Sequence, residues 1–420
     1  NDQIYEVRIR KMGIPLLITG NHKFLTFNGD KETRFLECSK RRVKGDLIKI
    51  PFPSFNRKNM IDLMEEFTLI QPRRNFSSNR RIPSEKNKEI LCLADGGLPQ
   101  TLISETLGVS RGHVIFVNKA GWASKYTQST YAESRIKKMD EKLVRFPRSK
   151  YSVNRFIKID KDFCRLAGYY LAEGCVTRCK SRPNSYRASF TFEATEKEWI
   201  EDTKKLIKTV LGQKPYTVNS KNLTYIIVRS SIHALLFKKL FGEKSQNKII
   251  PPWFFGLNRE EITAVLVGWL RGDGSYLYLE GITSSKMLAL DLWLLSWKHE
   301  YEPSLYYHKH PSHSQIQGRQ INCSDAFILR FCHSPNSDIL SFLTFHKLPL
   351  KYTQPKKIRR VKKQDAVFLP IKSIKKQIYN GAVFNIETEK DHTYTANLLA
   401  VHNCSHLGNS ASDLSLIYGC

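Results

Sequence analysis

Two stretches of the chain each set one acid at the end of an apolar run lined with small residues. They are Leu166-Ala167-Gly168-Tyr169-Tyr170-Leu171-Ala172-Glu173-Gly174 and Leu266-Val267-Gly268-Trp269-Leu270-Arg271-Gly272-Asp273-Gly274. Both read as helices closed by a C-cap glycine. Gly168 with Ala172, and Gly268 with Gly272, stand four residues apart and so share a helix face. Faces without bulk let two helices pack backbone against backbone, which would bring Glu173 and Asp273 side by side. Carboxylates so placed repel one another unless a cation lies between them. Hard divalent ions such as Mg2+ or Mn2+ suit both carboxylate and phosphate oxygens. The chemistry that follows is phosphodiester hydrolysis, in which the metal activates water and stabilises the departing oxygen.

A second chemistry is written at the opposite ends of the chain. In His402-Asn403-Cys404 the Asn amide can attack its own backbone carbonyl, closing a five-membered ring and releasing the next residue. His402 can manage the protons, and Cys404 is a nucleophile for an acyl group. Upstream, Val383 to Ile386, with Asn385 among them, and Thr393 to Thr395 read as strands about the charged turn Glu387 to Asp391. Near the start, apolar Ile14 to Ile18 runs into Thr19-Gly20-Asn21-His22, followed by Leu36 to Ile48 with a Gly45-Asp46 turn.

Composition narrows the partners. Lys plus Arg total 67 against 39 acidic residues, a formal net charge of +28, which favours a polyanion and above all nucleic acid. With 420 residues there is room for two or three domains. No run approaches eighteen uninterrupted apolar residues, and no basic-then-apolar leader opens the sequence, so membrane and secretory readings are poor. The nine cysteines form no C-x-x-C pairs, which suits a reducing, cytoplasmic compartment better than a zinc or disulfide framework.

The two ends resemble the splicing motifs of inteins. That resemblance implies that His402 and Asn403 drive C-terminal cleavage, that Cys404 starts the downstream host protein, and that His392 assists branch resolution. Thr19 and His22 would polarise the upstream scissile bond. Asn385 stands where many inteins carry Asp or another catalytic side chain. The family's first-residue Cys or Ser has no counterpart before Thr19. The expectation is therefore a fragment lacking its first motif or the larger part of a split intein, partnered by an N-terminal piece.

The central stretch, from about Asp162 to Lys357, resembles the LAGLIDADG homing endonucleases. Glu173 stands where that family usually has Asp, and the second motif departs from the pattern at Trp269 and Arg271. The resemblance implies catalytic, metal-binding roles for Glu173 and Asp273. Lys248, in Gln246 to Pro251, would neutralise charge at the reacting centre, with Lys356 or Lys357 as its repeat partner. Strands at Tyr186–Ala194 and Leu223–Arg229, with counterparts at Leu305–His310 and Arg319–Cys323, would form a saddle on the DNA major groove. Arg187, Arg229, Lys309, Gln317 and Arg319 are its candidate contacts.

Between these parts, Ser84 to Trp122 reads as helix, helix, turn, helix, with Ser110 as N-cap of the last. This pattern resembles a helix-turn-helix whose recognition helix carries Arg111 and Lys119. Arg73, Arg74, Arg80 and Arg81 upstream are placed to meet phosphates. The expected architecture is multidomain. An all-β splicing domain of the Hint type, from residues 1–55 and 358–403, is split by a helical region (56–150, helix-turn-helix at about 84–122) and an α+β endonuclease (151–357). The endonuclease would have two pseudosymmetric αββαββα repeats, and residues 404–420 would begin the downstream extein. The expected function is site-specific cleavage of double-stranded DNA joined to self-cleavage at Asn403/Cys404. Two rivals are a DNA-binding regulator with a decayed nuclease and a freestanding homing endonuclease.

Overall fold

The computed structural model describes residues 2–38, 44–68, 84–96, 98–109, 111, 114, 117, 136–146, 149, 151–179, 182–275, 278–310, 313–316, 319–322, 324–331, 339, 358–381, 388 and 392–402. The chain divides into two compact units, residues 1–60 with 158–420, and residues 61–157.

In chain order the first unit opens with β1 (Asp2–Ile9), β2 (Met12–Thr19), β3 (Lys23–Thr26), β4 (Gly29–Glu32) and β5 (Leu47–Pro51). β6 (Met60–Asp62), α1 (Leu63–Thr68), α2 (Ser84–Asp95), α3 (Gln100–Leu107), β7 (Lys137–Lys138), β8 (Leu143–Arg145), β9 (Val153–Asn154) and β10 (Phe156–Lys158) follow. The first repeat then runs α4 (Lys161–Glu173), β11 (Gly174–Cys179), β12 (Arg182–Glu193), α5 (Lys197–Leu211), β13 (Tyr216–Asn219), β14 (Leu223–Val228) and α6 (Ser231–Phe241). The second runs α7 (Arg259–Asp273), β15 (Gly274–Ser275), β16 (Glu280–Thr283), α8 (Lys286–Lys298), β17 (Ser304–His308), β18 (His313–Ile316), β19 (Arg319–Asn322) and β20 (Ala326–Arg330). The chain closes with β21 (Val361–Lys362), β22 (Ala366–Tyr379), β23 (Thr393–Ala396) and β24 (Leu399–His402).

The first repeat follows the expected αββαββα order, with sheet order β11-β12-β14-β13. The second repeats that sheet as β15-β16-β20-β17. It departs from expectation at both strands: the expected Leu305–His310 falls on β17, which stands where β13 does, and the counterpart of β12 is β16. Arg319–Asn322 pairs only with β18 in a separate two-stranded hairpin, and the counterpart of β14 is instead β20. The hairpin is an insertion between the last two strands of the repeat. Alternation of β-formers marks both segments, and only pairing distinguishes them.

A second departure is that the repeat does not stand apart from the β framework. The strand order β15-β16-β20-β17-β2-β1-β22-β5-β3-β24-β23 is continuous, with Leu305 of β17 bridged to Met12 of β2. Gly13 makes the approach possible, because a Cβ there would lie 2.7 Å from the Leu305 carbonyl oxygen. The Lys11 carbonyl accepts both the Leu305 amide (2.8 Å) and Trp293 Nε1 (3.0 Å).

Aromatic burial builds the core of the repeats. Tyr169, Tyr170, Phe163, Phe190, Phe192, Phe237, Phe241, Trp269, Trp293 and Trp297 are all nearly inaccessible. Asp160 caps α4 by accepting the Asp162 and Phe163 amides, and Asn258 with Glu261 forms a capping box on α7. These caps fix where each helix starts and therefore where it ends.

The unit formed by residues 61–157 is not purely helical as expected, since β7, β8 and β9 make a small antiparallel sheet. Its helical part packs Ile90 of α2 and Ile103 of α3 against Val109, Val114 and Val117. Arg111, Val114 and Val117 are helical, and Gly108 ends α3 with φ of +62°. Ser110 and Lys119 of the expected recognition helix, and Arg73, Arg74, Arg80 and Arg81, lie outside the described residues.

Candidate active sites

The small-residue faces of α4 and α7 meet backbone to backbone. A Cβ on Gly168 would lie 2.2 Å from the Val265 carbonyl oxygen, and one on Gly268 would lie 2.3 Å from that of Arg165. Neither position admits even alanine without parting the helices. One turn on, Gly272 faces Ala172 and Glu173, its missing Cβ falling 2.8 Å from Glu173 Cγ and 3.3 Å from Oε1. Glu173 and Asp273 end these helices side by side.

Gly174 and Gly274 are not left-handed caps, contrary to expectation. Both have extended backbones (φ −84° and −105°) and begin β11 and β15. What requires glycine there is space. A Cβ would strike the Tyr170 ring at 2.2 Å in the first case and the Leu270 carbonyl oxygen at 2.1 Å in the second.

Burial pushes both carboxyls up to about 7; the charge of Asp273 adds to the rise at Glu173, and Lys248 opposes it at both. Lys248 is itself only 2% exposed, and burial lowers its ammonium to about 7. Its Nζ donates to the Tyr170 carbonyl (2.8 Å) and the Gly174 carbonyl (2.7 Å), while sitting 3.6 Å above the Tyr170 ring. Lys248 thus binds the C-terminal end of α4, at the Tyr170 carbonyl that also accepts the Gly174 amide and at the Gly174 carbonyl just beyond the helix. Two half-buried acids at helix ends, with the nearest ammonium committed to carbonyls, are a donor set suited to a hard cation. Among the described residues no group of three or more His, Cys, Asp or Glu converges, so further oxygens would come from backbone, water or phosphate.

Arg187 on β12 and Arg229 just beyond β14 are exposed on the first repeat's sheet. Arg187 Nε donates to Thr177 Oγ1 (3.0 Å), and the Arg229 guanidinium lies 3.8 Å over the Tyr216 ring. Lys309 is exposed beyond β17, Arg319 falls on the inserted hairpin, and Arg111 is exposed on its helix. Gln317, Lys356 and Lys357 lie outside the described residues.

In the β framework the chain's two ends interleave. β24 pairs with β3 (Val401 opposite Phe24), β3 with β4, and β23 with β24 (Thr393 opposite His402). The β23–β24 turn has positive φ at both Asn397 and Leu398, the type I′ geometry that suits a two-residue hairpin. Thr19 Oγ1 lies 3.2 Å from His22 Nδ1, and His22 Nε2 lies 3.0 Å from the Tyr394 hydroxyl. His22 is 4% exposed, and burial holds its imidazole below the ordinary value. His402 Nε2 meets Asp30 Oδ2 at 2.8 Å, and its Nδ1 meets the His392 carbonyl at 3.2 Å. The His392 side chain is exposed on a backbone with φ of +50°. Asn385, Asn403 and Cys404 lie outside the described residues.

Sequence reasoning did not single out Tyr394 or Asp30. Tyr394 shares a strand with neighbours two apart and so a face. Asp30 had no local signal, because its partner is 372 residues away in sequence.

No protein-family model matches the chain. Over 91% of its length it is 27% identical to an uncharacterised protein of Methanocaldococcus jannaschii, of which it covers 47%. A further M. jannaschii protein matches 59% of the chain at 27% identity, over 30% of its own length. The chain thus spans about half or less of the curated relatives it matches. A 35% identical stretch covers 31% of the chain and 7% of the large subunit of DNA polymerase II from Thermococcus kodakarensis. Among solved structures, the homing endonuclease I-DmoI in complex with DNA and Mn aligns with 44% of this chain and 96% of its own, at 15% identity and a TM-score of 0.30. Among the described residues no helix is long and apolar enough to cross a membrane.

Proposed function

We propose that the chain is a divalent-cation-dependent endonuclease of double-stranded DNA, carried inside a β framework that cleaves its own backbone after Asn403. One observation carries the nuclease: α4 and α7 touch at Gly168 and Gly268, and that contact delivers Glu173 and Asp273 together. Glu173 and Asp273 would hold Mg2+ or Mn2+, and such an ion supplies a water of lowered pKa and charge stabilisation for the departing oxygen. Burial keeps the two carboxyls reluctant to ionise alone, so cation binding and loss of their protons go together. Lys248 fixes the end of α4 and keeps positive charge near the pair. The +28 net charge draws a phosphate backbone, with Arg187, Arg229, Lys309, Gln317 and Arg319 as contacts on the repeats and Arg111 and Lys119 on the helical unit.

For the framework, the supporting observation is that each motif pairs across the chain, His22 with Tyr394 and His402 with Asp30. The match to 7% of a polymerase subunit is what an element inserted in a larger host would give. Thr19 and His22 would act at an upstream junction completed by an N-terminal segment. His392, His402, Asn403 and Cys404 would act at the downstream one.

A randomised duplex library with Mg2+ tests the nuclease. Specific cleavage is expected from the parent chain and none from Glu173→Gln or Asp273→Asn, with binding retained. Selective binding without cleavage by the parent would favour a DNA-binding regulator. Mass spectrometry tests the framework, with release of residues 404–420 expected and lost in Asn403→Ala. A chain that cleaves DNA and never releases that peptide is a freestanding endonuclease.

A further inference from the structure

We propose that the second repeat reads thymine methyl groups in its half of the DNA site, through a row of Ile282, Ile328 and Tyr306; this rests on the nuclease reading above. β16, β20 and β17 run side by side, and their register sets Ile328 opposite both Ile282 and Tyr306. Gly281, next to Ile282, packs on the Trp269 ring of α7, and its cross-strand neighbours Leu329 and Leu305 are buried. Side chains alternate along a strand, so the row lies on the face turned away from the helices. Ile282 is 45% exposed and Tyr306 42%. Gly281 also pairs with Gly274, which follows Asp273 directly, so a duplex with one phosphate at the acids lays its adjoining base pairs along this face. Two strand spacings make the row about 10 Å wide, within the about 12 Å of the major groove.

The chemistry of the row does the selecting. Neither isoleucine can donate or accept, and polar atoms of a base edge laid against them would lose water and gain no partner. The thymine C5 methyl is the apolar group that a base offers in the major groove. In the adjoining row of the same face the charges neutralise each other, Arg330 Nε and Nη2 lying 2.7 and 2.6 Å from Glu280 Oε2. The first repeat differs at the same register. Gly174 pairs with Phe190 as Gly274 pairs with Gly281, which makes Thr191 the counterpart of Ile282, Tyr225 that of Ile328 and Val218 that of Tyr306. Hydroxyls stand there in place of the two isoleucines, and a hydroxyl can serve a donor or an acceptor on any base. One backbone plan thus reads its two half-sites by different chemistry.

The test takes duplex sites that the parent chain selects from the randomised library and replaces one thymine at a time by uracil, which removes the methyl and keeps the base pairing. Gel-shift titration with the full chain in EDTA reads the affinity for each duplex. One half of the site should hold neighbouring thymines at which uracil weakens binding about fourfold each, the size of one buried methyl group. The other half should hold none. Ile282→Ala should abolish the preference for thymine over uracil at one of these positions and spare the others, and Ile282→Val should keep it. Loss of folded protein lowers both affinities alike and leaves their ratio unmoved, so the ratio reports the contact. Selected sites without such thymines, or a ratio unchanged in both Ile282→Ala and Ile328→Ala, overturn the methyl readout alone. A parent chain that selects no site overturns the nuclease reading and this inference with it.

Discussion

Asp202 is the sixth residue of α5, and Asp291 is the sixth residue of α8, its counterpart in the other repeat. Asp202 accepts from Arg165 (2.9 and 3.0 Å), from Tyr169 (2.9 Å) and from Arg271 (3.1 Å). Among the described residues no such set of donors surrounds Asp291. The positions of α7 that match Arg165 and Tyr169 of α4 are Val265 and Trp269, and burial pushes the Asp291 carboxyl up to about 7 against one opposing hydrogen bond from the Ile250 amide. The sheets differ too. β13 ends its sheet with exposed Tyr216, whereas β17 is joined to β2. The same layout thus carries charge pairing on one side, and on the other a half-buried acid reluctant to ionise with a covered strand edge. Pseudosymmetry of the backbone does not extend to the electrostatics around it.

What the repeats share should matter most. The Gly168–Gly268 contact belongs to both, and a Cβ at either point meets a backbone oxygen rather than a yielding side chain. Gly168→Ala is expected to lower stability by about 3 kcal/mol or more, beyond ordinary overpacking, and Gly168→Val to prevent folding. Urea unfolding followed by tryptophan fluorescence reads this. A Gly168→Ala chain as stable as the parent would mean that the helices do not touch as described.

That contact was also the most legible feature of the sequence, because glycines four apart followed by an acid need only a local period to be noticed. The strands read at Leu223–Arg229 and Tyr186–Ala194 were legible by alternation and are observed at Leu223–Val228 and Arg182–Glu193. Less local features were not. The two departures at Trp269 and Arg271 have structural reasons that spacing cannot express: the Trp269 ring fills the space opposite Gly281, and Arg271 reaches Asp202 and lies 4.3 Å over Trp199. Lys248 was placed beside the acids by resemblance, but its bonds to the Tyr170 and Gly174 carbonyls depend on a chain reversal that no motif records. The inserted hairpin displaced the reading of the last strand of the second repeat, since two short β-forming segments follow one another and sheet partners are chosen by tertiary packing.

The next largest effect should separate the repeats. Asp202→Ala leaves Arg271, 5% exposed, without its carboxylate, and strands Arg165 beside it. Removing one partner of a buried pair costs about 3 kcal/mol at the lower end of the usual range. Asp291→Ala removes no ionic partner and is expected to cost far less. If thermal melts show the two substitutions to be equivalent, the asymmetry of the repeats has no energetic content. Asp202→Leu combined with Arg271→Met should regain much of the loss, because a well-packed apolar pair avoids the desolvation of both charges.

The smallest effect is a pH slope. A carboxyl whose folded pKa lies near 7 keeps a proton in the native state that the unfolded chain has already released. Native protein then binds more protons than unfolded protein between the ordinary carboxylate range and about 7, so stability falls as pH rises across that window and levels off above it. Glu173 and Asp273 tilt the curve in the same sense, while His233 and His299, held down to about 4 by burial, take stability away as pH falls below the ordinary histidine value. Comparing Asp291→Asn with the parent isolates one group from this background. The amide cannot ionise, so its melting temperature should stay close to the parent's near pH 4 and exceed it at pH 8. Asp202→Asn should show no such gain, because it weakens the contacts from Arg165 and Arg271 instead. A parallel rise in both variants would show that Asp202, like Asp291, is not held by charge pairing, and the contrast between the repeats would vanish.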